Sequence, residues 1–354
     1  MAINLHEKYA KKIQTAFTTR SLVAGRLSTE YSFSGVKTVK VSTPLTVPMV
    51  DYTRTGANRY GEPTEMQDVV QEMTLTQDKS FALTIDKGNN QDQQGIKAAG
   101  KMLALQIKER AIPTMDKYVF GALAQKAGQI VGNSTALSKT TVVERIAAAV
   151  DYMDDHEVPQ ESRTLFVPAK VYGMIRLSGE WLGTDGLSKE ALARGSVGIF
   201  MNMEVVKVPS SRWPANVNFM VVYKNSATAP VKLNDTKLHQ DPPGISGNLL
   251  EGRQYYDCFV FGAKADGVYV EVNTASGAGT VLGAPTIAAA TGVITPASGA
   301  TVKYTTDGSD PRYSMTAVVG TAPSVSAGDV VKAYQYSATE GTYPSGVTEQ
   351  KITG

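Results

Sequence analysis

Side chains able to do chemistry are sparse in this chain. Its three histidines, His6, His156 and His239, stand apart, and no HExxH, GxSxG, Walker loop or CxxC accompanies them. One acidic run, DYMDDHE, brings Asp151, Asp155 and His156 together with its two carboxylates a helical turn apart, a spacing that suits a divalent cation. The same run suits a solvated helix end or a contact between subunits, and that is the preferred reading because acidic clusters are often structural. Asp307 and Asp310 in YTTDGSDP are candidate surface ligand contacts with oxygen ligands for calcium, yet turn chemistry accounts for both without an ion. Tyr304, Tyr334 and Tyr336 are candidate ligand contacts of another kind, since aromatic faces stack on sugar rings. Packing within a small β-sandwich is the default expectation for them. Cys258, the one cysteine, reads as a small buried hydrophobe in YYDCFVFGA. These residues predict no catalysis, no metal and no cofactor.

The elements that must hold such residues are set by a chain of 354 residues, long enough for two domains. Hydrophobic residues at 42% and charged residues at 19% make a globular mixture. The net charge of +2 makes no strong case for nucleic acid. Lys8, Lys11, Lys12, Arg20 and Arg26 make the N-terminal stretch basic, read first as a solvated helix face that contacts neighbouring subunits and second as an approach to DNA. No run approaches the roughly 18 apolar residues of a membrane span. MAINLHEKYAKKIQTAF holds no apolar run that would serve as a signal peptide, so an intracellular product of a reducing compartment is expected.

Near Glu271 the composition changes. NTASGAGTVLGAP is small and flexible enough for a linker, and the tail beyond it alternates short apolar runs with Gly, Pro, Ser and Asp, as a small β-sandwich does. Upstream, residues 69–85 alternate with period two apart from a polar break at Gln77 and Lys79, so Met73, Leu75, Phe81, Leu83 and Ile85 share one strand face. VKTVKVSTPLTVP supplies a partner strand, and DYTRTGANRYGEP a polar tip between the two. A two-stranded ribbon is barely stable alone in water, so its apolar face predicts a cover from elsewhere. Ile96, Ala99, Leu103 and Ile107 then mark a helical stripe, with a kink or break expected before Pro113. Thr141 and Glu144 have capping-box spacing ahead of a helix predicted to bury Val143, Ile146, Val150 and Met153. The runs RTLFVPAK, MNMEVVKVP, VNFMVVYK and YYDCFVFGAKADGVYVEV read as strands.

This order of parts resembles the major capsid proteins of tailed bacteriophages, over about residues 1–272. TLFVPAKVYGMIR, GSVGIFMNMEVVKVPSS, VNFMVVYKNSATAPVKL and YYDCFVFGAKADGVYV look like successive strand and helix segments of that family. Asn202-Met203 stands where a glycine is usual, and Asn tolerates the left-handed turn. APTI…GATVKYTTDGSDP…GDVVKAYQYSATEG is similar to the immunoglobulin-like module at the C-terminal end of chitobiase-type and other surface proteins.

The resemblances imply an α+β fold of the HK-ninety-seven type, followed by a small immunoglobulin-like β-sandwich. A shell domain at 1–275 would comprise an N-terminal arm (1–35), an extended hairpin loop (36–86), a spine helix (94–126) and peripheral and axial domains. A linker (276–283) and an outward-facing domain (284–354) would follow. The implied function is a non-enzymatic subunit of an icosahedral virion shell, assembled from hexamers and pentamers in the host cytoplasm. Arg54, Asn58, Arg59, Tyr60 and Glu62 at the tip and Met73, Leu75, Phe81 and Leu83 on the ribbon face would contact other subunits. The implied partners are further copies of the chain, a separate scaffolding protein, a portal and packaged double-stranded DNA, with host-surface or mucus glycans at the C-terminal domain and no membrane. An encapsulin-type compartment, or a carbohydrate-binding adhesin suggested by the tail, are the alternatives.

Overall fold

A computed structural model describes residues 20–31, 33, 36–47, 49–63, 65 and 66, 68–92, 98–178, 196–297 and 299–353. His6, Lys8, Lys11 and Lys12 lie outside the described residues, as does Ile96 of the expected helical stripe.

Six strands form the central sheet, in the spatial order Gln129–Asn133, Val268–Asn273, Val217–Tyr223, Arg163–Pro168, Met203–Val208 and Ser196–Phe200. The first two pair in parallel, as do Arg163–Pro168 and Met203–Val208, and the other neighbours are antiparallel. Both faces are covered, which is why these segments read as near-continuous apolar runs. Phe166, Met220, Val222, Val268 and Val270 meet Val119, Phe120 and Leu123 of a long helix on one face. Leu165, Val167, Phe219, Val221 and Tyr269 meet Ile146 and Met153 of helix Val142–Asp155 and Ile175 of helix Ala169–Leu177 on the other. Two residues with positive φ, Met201 and Asn202 (48° and 59°), close the hairpin between Ser196–Phe200 and Met203–Val208. Asn202 thus takes the left-handed conformation its side chain tolerates.

The helix Val142–Asp155 buries Ile146 and Met153 as expected, and Val142 and Ala149 in place of Val143 and Val150. Val143 and Val150 sit half-buried at its edge. Thr141 does not act as a capping-box residue, because its hydroxyl accepts instead from the Ser138 N–H at 3.2 Å.

The long helix does not break before Pro113. It runs as Ala99–Gln106, a π-helical turn at Ile107–Ala111, and Ile112–Gln125. A proline ring clashes with the carbonyl four residues back and offers it no N–H, and a wider turn just before it relieves both conflicts. The first segment buries no residue within the subunit, whereas the last buries Asp116, Val119, Phe120, Leu123 and Ala124.

Residues 69–85 do not form one strand. Asp68–Thr74 pairs antiparallel with Thr38–Pro44, from Thr38 opposite Thr74 to Pro44 opposite Asp68. After an elbow at Leu75 and Thr76, Gln77–Asp86 joins a different sheet, where it flanks Gly247–Tyr256 and, beyond that, Val231–Gln240.

Beyond Asn273 a small all-β unit has its own core of Ile294, Val302, Val331, Ala333 and Ile352. Its main sheet orders Val318–Val319, Thr301–Thr305, Val330–Tyr336 and Thr348–Lys351, all antiparallel. The stretch expected to be a flexible linker is paired instead: Thr280–Val281 lies parallel to Thr342–Tyr343.

Candidate assembly surface

The root of the extended loop is held by one buried aspartate in YYDCF. The Asp257 carboxylate accepts from the Thr76 N–H at 2.9 Å and the Thr76 hydroxyl at 2.7 Å on one oxygen. Its other oxygen accepts from the Tyr118 hydroxyl and the Cys258 N–H, both at 2.7 Å, with Lys126 Nζ at 3.7 Å. Loop, long helix and closing strand therefore meet on a single side chain. Burial and the neighbouring Asp257 charge both push the Tyr118 phenol up, which keeps it a donor. Gln71 adds a second tie, donating to the Val260 carbonyl at 2.8 Å and accepting from the Gly262 N–H at 2.9 Å.

Met73 and Leu75 are fully buried by this arrangement, packed with Phe33, Phe259 and Phe261 of the same chain. Their cover is intramolecular, so they are not contacts for a neighbouring subunit. Phe81 and Leu83 are half-buried in the three-stranded sheet, opposite Gly252 and Leu250. The apolar surface left open lies further out. Val47, Met49, Tyr60 and Met66 are 62%, 100%, 87% and 70% exposed.

Arg54, Asn58, Arg59, Tyr60 and Glu62 are all exposed at the tip, which is built rather than loose. The Thr53 N–H donates to Arg59 O at 3.1 Å, Asn58 Nδ2 donates to Glu62 at 2.6 Å, and the Tyr52 and Tyr60 rings meet edge to face at 5.0 Å. Asn58 takes φ 53° and Gly61 φ 83°, the left-handed geometry for which NR and YG in the run are suited.

The arm segment after residue 19 is pinned rather than solvated. Asp116 of the long helix accepts from the Ser21 hydroxyl (2.7 Å), the Leu22 N–H (3.0 Å) and Arg212 (2.9 Å). Burial raises the Asp116 carboxyl above its usual range against the pull of these donors. Arg26, expected on a solvated face, is buried and pairs with Glu204 at 2.7 Å.

The all-β unit docks on the end of the long helix through the residues that follow the turn. Arg312 donates to Gly128 O at 2.6 Å, the Tyr313 hydroxyl donates to Lys126 O at 2.8 Å, and the Tyr343 hydroxyl donates to Ala215 O. Asp310 grips Arg312 from Nε at 3.1 Å and Nη2 at 2.7 Å, so it serves the dock. Burial acts against the Arg312 charge, but the groups around it, Asp310 among them, hold it fully protonated. Asp307 closes its own turn, accepting from the Ser309 N–H at 3.0 Å and the Thr316 hydroxyl at 2.6 Å. Tyr304 packs against the unit's core, while Tyr334 and Tyr336 stack on the opposite face of their sheet. Only the last two of the five predicted contacts share an open cleft.

The remaining candidates offer no reaction centre. Asp151 and Asp155 are exposed, and Asp154 between them pairs with Arg163 at 2.6 Å. His156 stacks on Tyr152 at 4.0 Å, and His239 stands 3.3 Å from Glu251 on an exposed strand. Among the described residues no three His, Cys, Asp or Glu side chains come together as a metal site. Burial pushes the Cys258 thiol up to about 12, which makes it unreactive. No described helix is long and apolar enough to cross a membrane.

The residues that sequence reasoning missed are Asp257, Gln71, Asp116 and Arg212. Each carried one signal, a polar group inside or beside an apolar run. No protein-family model and no curated protein matches the chain in sequence. Solved structures do match in shape. "Mycobacterium phage Che8" superposes with a TM-score of 0.61 at 18% identity, over 76% of this chain and 98% of that one. "Capsid structure of the Cyanophage P-SCSP1u" gives 0.61 at 14% identity, over 77% and 93%. "Asymmetric unit of bacteriophage PhiM1 mature capsid" gives 0.57 at 12% identity, over 77% and 92%. The mixed α and β architecture described above is the fold of bacteriophage capsid proteins.

Proposed function

We propose that this chain is the major capsid protein of a tailed bacteriophage, a non-enzymatic subunit whose copies form the hexamers and pentamers of an icosahedral shell around double-stranded DNA. The observation that carries the reading is the extended loop. Its root is tied to the body at Gln71 and Thr76, while Val47, Met49, Tyr60 and Met66 project with most of their surface open. Exposed apolar surface on a projecting ribbon suits burial by an identical neighbour, and symmetric repetition turns such modest contacts into a closed shell. Arg54, Asn58, Arg59 and Glu62 would set the register of that contact, with Phe81 and Leu83 at its flank. The half-exposed start of the long helix offers a second surface for a neighbour.

The match to phage structures leaves about a quarter of the chain outside it, a share equal to that of the C-terminal unit. That unit would be the part displayed on the outer face. A portal and a separate scaffolding protein would complete the assembly. Deleting residues 54–62 should leave a folded subunit that forms no closed particles by electron microscopy. Normal shells from that deletion would refute the assignment, and particles filled with a host enzyme instead of DNA would identify an encapsulin-type compartment.

A further inference from the structure

A cleft of about 600 Å³ separates the C-terminal unit from the body of the subunit. One wall is the outer face of the four-stranded sheet, where Lys303 and Tyr334 are direct cross-strand partners and Tyr336 follows on the same face. The two tyrosine rings lie 5.7 Å apart with 26° between their planes, forming one continuous aromatic surface. Gln71, Glu72 and Lys126 line the opposite wall.

Two of the three cations in the cleft are committed. Arg312 is held by Asp310 at 2.7 Å, and Lys126 donates to Cys258 O at 2.7 Å beside Asp257. Lys303 is different: among the described residues its ammonium has no hydrogen-bond or ion-pair partner. Burial alone acts on it and lowers its pKa from 10.5. A half-buried charge without a partner is costly, and the cost is recovered when an anion arrives.

We infer that this cleft binds a carboxylated saccharide, with a pyranose face on Tyr334 and Tyr336 and its carboxylate on Lys303. A single uncommitted cation matches a single carboxylate, and Glu72 across the cleft opposes a phosphate chain. Aromatic faces and interspersed donors and acceptors are what a ring with apolar faces and hydroxyl edges requires. The basic arm is an unsuitable occupant because its lysines carry the same sign as Lys303.

The test is calorimetric titration of the full chain, as free subunits and as particles, with trigalacturonic acid, its neutral counterpart α-1,4-galactotriose, and AMP. Trigalacturonate should bind, galactotriose at least about tenfold more weakly, and AMP not measurably. Lys303→Gln should weaken trigalacturonate about tenfold or more, as loss of a charge-assisted hydrogen bond does. Lys303→Arg should keep affinity within about threefold on the same grounds, and Tyr336→Ala should lose about tenfold with unchanged thermal stability of the body. Absence of trigalacturonate binding, equal binding of the neutral sugar, tighter binding of AMP, or indifference to both Lys303→Gln and Tyr336→Ala would each overturn the inference. Well-formed shells that bind nothing sink this inference alone, and saccharide-binding subunits that never close a shell sink the capsid reading alone.

Discussion

Asp257→Asn is the sharpest probe of how the extended loop is held. The substitution keeps the shape of the side chain and replaces one acceptor oxygen by an NH2 group. In the native subunit one oxygen faces two donors from Thr76, and the other faces the Tyr118 hydroxyl and the Cys258 N–H. Whichever way the amide turns, its NH2 points at two donors that cannot both reorient, because one of each pair is a backbone N–H. Lys126 also loses its carboxylate, at 3.7 Å. The residue is 1% exposed, so water offers no substitute. Two buried donors left unsatisfied and a charge pair removed cost about 3–5 kcal/mol together. Denaturant unfolding of unassembled subunits should show that loss as a lower midpoint at constant slope. Hydrogen exchange should show residues 68–76 opening well before the central sheet. A loss below about 1 kcal/mol, or exchange at Thr76 no faster than in the native protein, would refute the claim that this carboxylate fastens the loop.

Arg312→Ala strips the dock of its cation, leaves the Gly128 carbonyl without its donor and leaves Asp310 only the backbone N–H of residue 312; partial exposure of the pair, 17% and 32%, discounts the loss to about 2 kcal/mol. Faster limited proteolysis within 275–283 is the readout, and an unchanged cleavage rate would count against the dock. Met201 sits at φ 48° on an exposed hairpin where asparagine is at ease, so Met201→Asn should raise stability by about 0.5–1 kcal/mol in thermal unfolding. Lys303 has its proton affinity lowered in the folded chain, so the unfolded chain binds more protons just below pH 10.5 and stability should rise with pH through that window. An acidic ligand reverses the preference, so trigalacturonate affinity, constant near neutrality, should fall as pH climbs through the same window; affinity that holds there would exclude Lys303 from the site.

Much of the fold was legible because burial on both sides of a sheet leaves an unbroken apolar run, as in VNFMVVY and GVYVEV. The strands Val231–Gln240 and Gly247–Tyr256 escaped notice because the first is largely open, and in both, VKLNDTKLHQ and GNLLEGRQYY, polar and charged residues interrupt any regular apolar alternation. The elbow at Leu75 and Thr76 left one trace, the polar Gln77 and Lys79 that break the apolar series just after it. Alternation resumes at Phe81, and side-chain periodicity carries no information about which strand lies alongside. In helix Val142–Asp155 the stripe was right at Ile146 and Met153 and one position off at its other two members, because Val142 and Val143 fit a 3.6-residue repeat equally well. Of the candidate residues, the exposed turn at 54–62 was legible because turn-forming types announce themselves, whereas the docking role of Asp310 was not, because the Arg312 it grips reaches a carbonyl at Gly128 that is remote in sequence.

The place where the C-terminal unit docks bears on how the loop can move. Past Gln125 the long helix presents unpaired carbonyls and the negative end of its dipole, and Arg312 and Tyr313 donate to the carbonyls there. The same unit reaches the loop itself, where the Met315 N–H donates to Val70 O at 3.1 Å. Val70, Gln71, Leu75 and Thr76 are thus each tied to a different part of the molecule, by Met315, by Val260 and Gly262, by Tyr255 and by Asp257. A segment fastened at four of seven successive positions cannot pivot as a hinge without breaking several bonds at once. On the capsid reading proposed above, a change in direction that fits the tip to different neighbours would arise beyond the ribbon's last pair, Pro44 and Asp68, where Gly56 and Gly61 adopt positive φ and no described strand pairing constrains the chain.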